Sequence, residues 1–135
     1  DNLLGTMPEL DPSEIVSRFL LEGQIRTSDA TVRYGAFLPS ESNLKISVFR
    51  LSSLSDQEIW ALAAEKVEPT RGPVIGRGNL SVTQIVENKL KVRPDAISNS
   101  KHADIVEWPD ERSLRATIAK ALAAIASPAI RRQPV

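Results

Sequence analysis

Apolar and polar positions along the chain change period several times, and each change marks an expected element. The stretch EIVSRFLLEGQIR (14–26) carries two weak signals. Val16, Arg18 and Leu20 alternate as in a strand, while Ile15, Phe19 and Glu22 or Gly23 fall near a helical spacing. Its Phe and β-branched residues, with Gly23 near the middle, favour the strand. ATVRYGAFLPSESNLKISVFRL (30–51) reads as a hairpin. Thr31, Val32, Tyr34 and Phe37 supply the first arm, and PSESN (39–43) supplies turn chemistry. In the second arm Leu44, Ile46 and Val48 share one face and Lys45 and Ser47 the other.

The second half is expected to be more helical. SDQE (55–58) is a capping box, with Ser55 accepting from the Glu58 backbone N–H and Glu58 reaching back to Ser55. A helix with Ile59, Leu62 and Ala63 on one face follows, and Trp60 lies on its flank. EPTRGPVIGRG (68–78) reads as a loop, because Pro69, Gly72, Pro73, Gly76 and Gly78 punctuate it. SVTQ (81–84) is a second capping box before a short helix. LKVRP (90–94) and HADIVEW (102–108) read as strands joined by the polar loop DAISNS. The longest helix starts at Pro109–Asp110, carries the stripe Leu114, Ile118, Leu122 and Ile125, and stops at Pro128. Alanine beside that stripe lets the helix pack close to a sheet. The expected fold is α+β, a mainly antiparallel sheet with helices packed on it and a long C-terminal helix. Residues 14–126 form the single domain, 1–13 a flexible arm and 127–135 a flexible tail.

Composition narrows the chemistry. Lys plus Arg and Asp plus Glu number 17 each, so the formal net charge is zero. Nucleic-acid binders usually carry a basic excess, which places nucleic acid below protein as the expected partner. The chain has no cysteine and one histidine, which removes thiol chemistry and any dense zinc constellation. No metal and no cofactor are expected. No apolar run reaches the roughly 18 residues that span a membrane, and the first residues lack the basic start and apolar centre of a signal peptide. A cytoplasmic setting follows as the expectation.

His102 is the candidate acid or base, with Asp104 on the same strand face. A solvated edge-strand histidine is the commoner outcome for such a residue. Trp108, before Pro109, either plugs the core at the start of the closing helix or offers a docking surface, and the plug is favoured. Arg50 ends an apolar row and either snorkels to water or grips an anion through its planar fork. Arginines outnumber lysines, 11 to 6, and Arg18, Arg33, Arg71, Arg77 and Arg93 are scattered over the strand and loop regions. Several of them gathered on one sheet face would make a phosphate surface.

Four segments taken together resemble a group of small uncharacterised bacterial proteins. They are AFLPSESNLKISVFRLSSLSDQEIW (36–60), GRGNLSVTQIVENKLKV (76–92), HADIVEWP (102–109) and the alanine-rich closing helix. The shared pattern runs from Ala-Phe-any-Pro through Ser-Val-Phe-Arg and Glu-Ile-Trp to His-Ala-any-Ile-Val-Gly-Trp-Pro. This chain departs from it with Glu107 in place of glycine and Asn79 in place of aspartate. The resemblance implies a bacterial origin and attaches no activity. The expected function is a non-enzymatic binding module acting through protein contacts. Its expected surface uses Arg50, Trp60, Arg77, His102 and Trp108. The alternative is a small enzyme or toxin acting on RNA or a nucleotide, with His102 as acid or base and Arg50 and Arg77 holding phosphate.

Overall fold

The computed structural model describes residues 10–95 and 101–133. Six antiparallel strands form one sheet. In chain order they are β1 (Ile15–Leu21), β2 (Ile46–Arg50), β3 (Val74–Ser81), β4 (Lys91–Pro94), β5 (His102–Val106) and β6 (Ile130–Arg131), and across the sheet they run β4-β5-β2-β1-β3-β6. Four helices accompany them: α1 (Asp56–Lys66), the single turn α2 (Glu68–Arg71), α3 (Val82–Glu87) and α4 (Arg112–Ala126). The class is therefore the expected α+β, with the long C-terminal helix in place. No helix of the described residues is long and apolar enough to cross a membrane.

The mixed period of 14–26 has a simple cause. β1 lies inside the sheet and is covered on both faces, so neither of its faces is polar. Val16 and Leu20 join a core with Ile46, Val48, Ile105 and Leu122. Phe19 joins a second core with Phe49, Ile59, Ala63, Val67 and Val74. The Phe19 and Phe49 rings stand 5.5 Å apart. Ser55 and Ser81 cap α1 and α3, and both capping boxes are complete. Trp108 settles as the core plug: it is 6% exposed, and its indole N–H donates to the Ile105 carbonyl at 3.0 Å.

Four expectations need correction. Residues 30–37 form no strand. Val32 makes an isolated bridge to Ile25, and Tyr34–Phe37 is a 3-10 turn whose Ala36 and Phe37 are buried. The segment 68–78 is not a loop throughout, because β3 begins at Val74 and includes Gly76 and Gly78. These glycines serve close packing. A Cβ on Gly76 would stand 2.7 Å from Ile25 Cδ1 and 2.9 Å from the Ile130 carbonyl oxygen, and one on Gly78 would stand 3.0 Å from Ala126 Cβ. The buried face of α4 is its alanine side (Ala119, Ala123, Ala126, with Arg115 and Leu122), while Leu114 and Ile125 are exposed. A small-residue face lets the helix approach the glycine-containing strand, so backbone proximity outweighs the larger stripe.

The described residues on either side of 14–126 are also tied down. Ile130 and Arg131 pair with Arg77 and Gly76 as β6, and the Arg132 guanidinium donates to Glu68 at 2.9 Å. The Pro12 carbonyl accepts from the Thr83 N–H at 3.0 Å and from its hydroxyl at 2.8 Å. The first nine residues and most of DAISNS (96–100) lie outside the described residues.

Candidate functional site

The five residues expected at the surface do not converge. Arg50 and Glu14 form a two-pronged pair, with Nε to Oε2 at 2.6 Å and Nη2 to Oε1 at 3.1 Å, and the Glu14 side chain is 5% exposed. Phe49 and His102 are direct cross-strand partners, so Arg50, one residue on, projects to the opposite face from His102. Arg77 sits on β3, which is separated from β5 by two strands. His102 therefore has neither of the two arginines that the enzyme alternative required. Trp108 is in the core and offers no accessible anchor. Trp60 is half-buried and belongs to a stack of its own. The Arg77 guanidinium lies 4.8 Å from its ring centre, Arg132 lies 5.8 Å away, and Phe19 packs at 6.3 Å. Arg77 also reaches Asp56 at 3.4 Å, while its Nε and Nη1 are buried without hydrogen-bond partners among the described residues.

A different group of cations does converge, at a split in the sheet. The β1–β2 ladder contains two residue pairs, Val16 with Arg50 and Ser17 with Phe49. Past them, the Ser47 carbonyl accepts from Arg18 Nη1 at 3.0 Å. Arg18 Nε donates to the Ala36 carbonyl, also at 3.0 Å. The guanidinium thus bridges β2 and the 3-10 turn in place of backbone pairing. Beside it is a notch of about 120 Å³. Arg18, Lys66 and Arg71 line the notch together with Ser47 and Thr70. Phe19 and Phe49 supply its apolar wall, and no acidic side chain among the described residues lines it.

The electrostatics of the notch are unfavourable to its own cations. Burial, and after it the charge of Arg71, lowers the pKa of Arg18 to about 9. Burial likewise lowers that of Arg71. At about 9, Arg18 remains protonated at neutral pH. Among the described residues Arg18 meets two carbonyls but no carboxylate. A desolvated cation beside a second cation is stabilised by any anion that enters.

Ser47 also belongs to a second cluster, on the face shared with Phe49. Its Oγ is 2.5 Å from His102 Nε2. His102 Nδ1 is 3.1 Å from Asp95 Oδ2, and His102 Nε2 is 3.5 Å from Asp104 Oδ1. Strand register brings these residues together: Ser47 pairs directly with Asp104 across β2 and β5, and Arg93 pairs with Asp104 from β4. Serine, imidazole and the Asp95 carboxylate fall in the line of a nucleophile with its base. The Asp104 carboxylate, however, stands 3.5 Å from the same Nε2, so a second negative group lies beside the atoms such chemistry would use.

Arg18, Arg71 and Asp104 were visible in the sequence as individual residues, and the convergence was not. A charged residue inside the buried run IVSRFLL was the available signal for Arg18. Nothing local marked Lys66, or paired Ser47 with His102 across 55 positions. No protein-family model matches the chain, and neither a curated protein nor a solved structure matches it.

Proposed function

We propose that the chain is a non-enzymatic binding module that captures one anionic group of a partner protein in the Arg18–Lys66–Arg71 notch. The observation that carries this reading is a buried guanidinium that, among the described residues, meets only carbonyls, next to two further cations and no acid. An arriving carboxylate or phosphate accepts from donors already held in place, so little ordering is lost on binding. At about 120 Å³ the notch is far below the roughly 300–1,000 Å³ of small-molecule sites, and it suits a side-chain head group. A net charge of zero argues against a nucleic-acid backbone as the main partner. The setting we assign, a bacterial cytoplasm, rests on the sequence resemblance and the cysteine-free composition.

Two end-blocked peptides, identical except for one phosphoserine or one glutamate, distinguish the two anions. Calorimetric titration is expected to give saturable binding of at least one of them. Arg71→Met, on the half-exposed side of the notch, weakens it by about ten-fold or more, the worth of one charge-assisted hydrogen bond. The peptide that binds tighter identifies the group. Failure of both peptides to saturate, or equal affinity in the variant, contradicts the proposal.

A further inference from the structure

We infer that His102, Asp104 and Ser47 form a binding site for a divalent first-row transition metal of the zinc class, with Asp95 orienting the histidine. Four observations lead there. The first is the state of Asp104. Its side chain is 6% exposed, yet among the described residues its nearest basic nitrogens stand at 3.5 Å (His102 Nε2) and 3.7 Å (Lys45 Nζ). Charge-assisted hydrogen bonds are nearer 2.7–2.9 Å. A buried carboxylate held by such long contacts is under-compensated.

The second is the imidazole. Asp95 Oδ2 stands 3.1 Å from Nδ1, so in the tautomer that carries its proton on Nδ1 the lone pair of Nε2 faces Asp104 and Ser47. Metal-bound histidines usually donate their other ring N–H to a carboxylate in this way. The third is spacing. With metal–ligand bonds of about 2.0–2.2 Å, neighbouring donors on a tetrahedron lie roughly 3.3–3.6 Å apart. The Nε2–Oδ1 separation of 3.5 Å is one such edge. Single donor atoms of Asp95, His102 and Asp104 all lie within 4.8 Å of one another. Ser47 Oγ, at 2.5 Å from Nε2, moves outward by roughly 0.8–1.1 Å to become a third donor.

The fourth is the surrounding charge. Among the described residues Lys45, at 3.7 Å, is the ammonium paired with Asp104, and Arg93 is the β4 register partner of that residue. Lys45 is 40% exposed and free to swing away. A metal ion takes over its charge-balancing role. One imidazole, one carboxylate and one hydroxyl select zinc or cobalt over calcium or magnesium, and water completes the shell.

The test uses the untagged chain, whose single histidine gives one imidazole NMR signal set. Titration with Co²⁺ is expected to shift and broaden the His102 ring signals saturably and to produce a visible ligand-field band. Zn²⁺ then displaces the cobalt. Asp95→Asn weakens binding by about 10–100-fold through the lost orienting contact. Asp104→Asn abolishes the band, and Lys45→Gln strengthens binding. Lys45→Gln is a half-exposed change, so it reports even where a buried substitution impairs folding. Unperturbed His102 signals in folded protein at saturating Co²⁺ overturn the inference. Equal titration of wild type, Asp104→Asn and Lys45→Gln does the same. So does metal-free covalent labelling of Ser47 by a fluorophosphonate, which would make that hydroxyl a nucleophile.

Discussion

The Arg18 guanidinium donates to the Ser47 carbonyl at 3.0 Å, just past the two-pair ladder that joins β1 to β2. A side chain thereby satisfies a strand acceptor and leaves its charge beside an open notch. Lysine at this position would not reproduce the fork, because its single ammonium cannot bond both the Ser47 and Ala36 carbonyls in the same geometry. Arg18→Lys is therefore expected to lose about 1–3 kcal/mol of stability. Urea denaturation of the variant against wild type measures this, and an unchanged midpoint counts against the bridging role.

Glu107 occupies the left-handed region at φ 72° and is exposed. That conformation costs a residue with a Cβ roughly 1–2 kcal/mol and glycine nothing. Glu107→Gly is expected to gain about 0.5–1 kcal/mol after the added freedom of the unfolded chain is subtracted. A calorimetric midpoint raised by about 2–5 °C agrees with this, and a lowered midpoint does not.

Trp108 holds the junction of β5 and α4 from inside. Trp108→Ala is expected to cost about 3–5 kcal/mol, as large aromatic truncations in cores do. Chemical denaturation measures the loss. Under conditions where the variant remains folded, its anion affinity stays at the wild-type level, because the indole is no part of the notch.

Gly76 faces backbone on β6, with the Ile130 carbonyl 2.9 Å from where a Cβ would lie. Gly76→Ala therefore pushes β6 off the sheet edge, at a cost of about 1–3 kcal/mol. Amide exchange at Ile130 and Arg132 is expected to accelerate, and protection equal to wild type removes the steric argument.

Glu68 fastens the same C-terminal segment. It accepts from the Val74 N–H at 2.8 Å and from Arg132 at 2.9 Å. The Val74 hydrogen bond, and after it Arg132, holds its pKa below the ordinary 4.5. A carboxyl whose folded pKa is lowered contributes stability above its unfolded pKa and loses it as pH falls through the lower folded one. Glu68→Gln is thus expected to be less stable than wild type at neutral pH, with the difference shrinking below about pH 4.5. A difference that grows on acidification contradicts the assignment.

Much of the fold was legible because local chemistry agreed with the tertiary outcome. Ser55 with Glu58, and Ser81 with Gln84, form the capping boxes their spacing predicts. Ile46 and Val48 face the core as their alternation predicts. The failures lie where packing overrides local pattern. Gly76 and Gly78 resemble loop punctuation and instead make room for Ile25, Ile130 and Ala126. Val32, Tyr34 and Phe37 have strand composition, yet Phe37 is needed in the core beneath a 3-10 turn. Ile130 follows a helix-ending proline, yet it finds a free edge of β3. The candidate sites were harder still, because they depend on cross-strand register. Arg50 and His102 are each plain in the sequence, but only the Phe49–His102 pairing places them on opposite faces. Arg18 and Arg71 meet because β1 and β2 part, which no periodicity announces.

The central claim is that the Arg18–Lys66–Arg71 notch is an anion receptor. Titration of isotope-labelled protein with inorganic phosphate at constant ionic strength, following the side-chain NεH signals of Arg18 and Arg71, tests it most directly. Saturable shifts at both guanidinium groups are predicted, with Lys66→Gln weakening the response and Arg71→Met removing it at Arg18. Shifts that remain linear in phosphate, or an Arg18 response unchanged in Arg71→Met, would contradict the account.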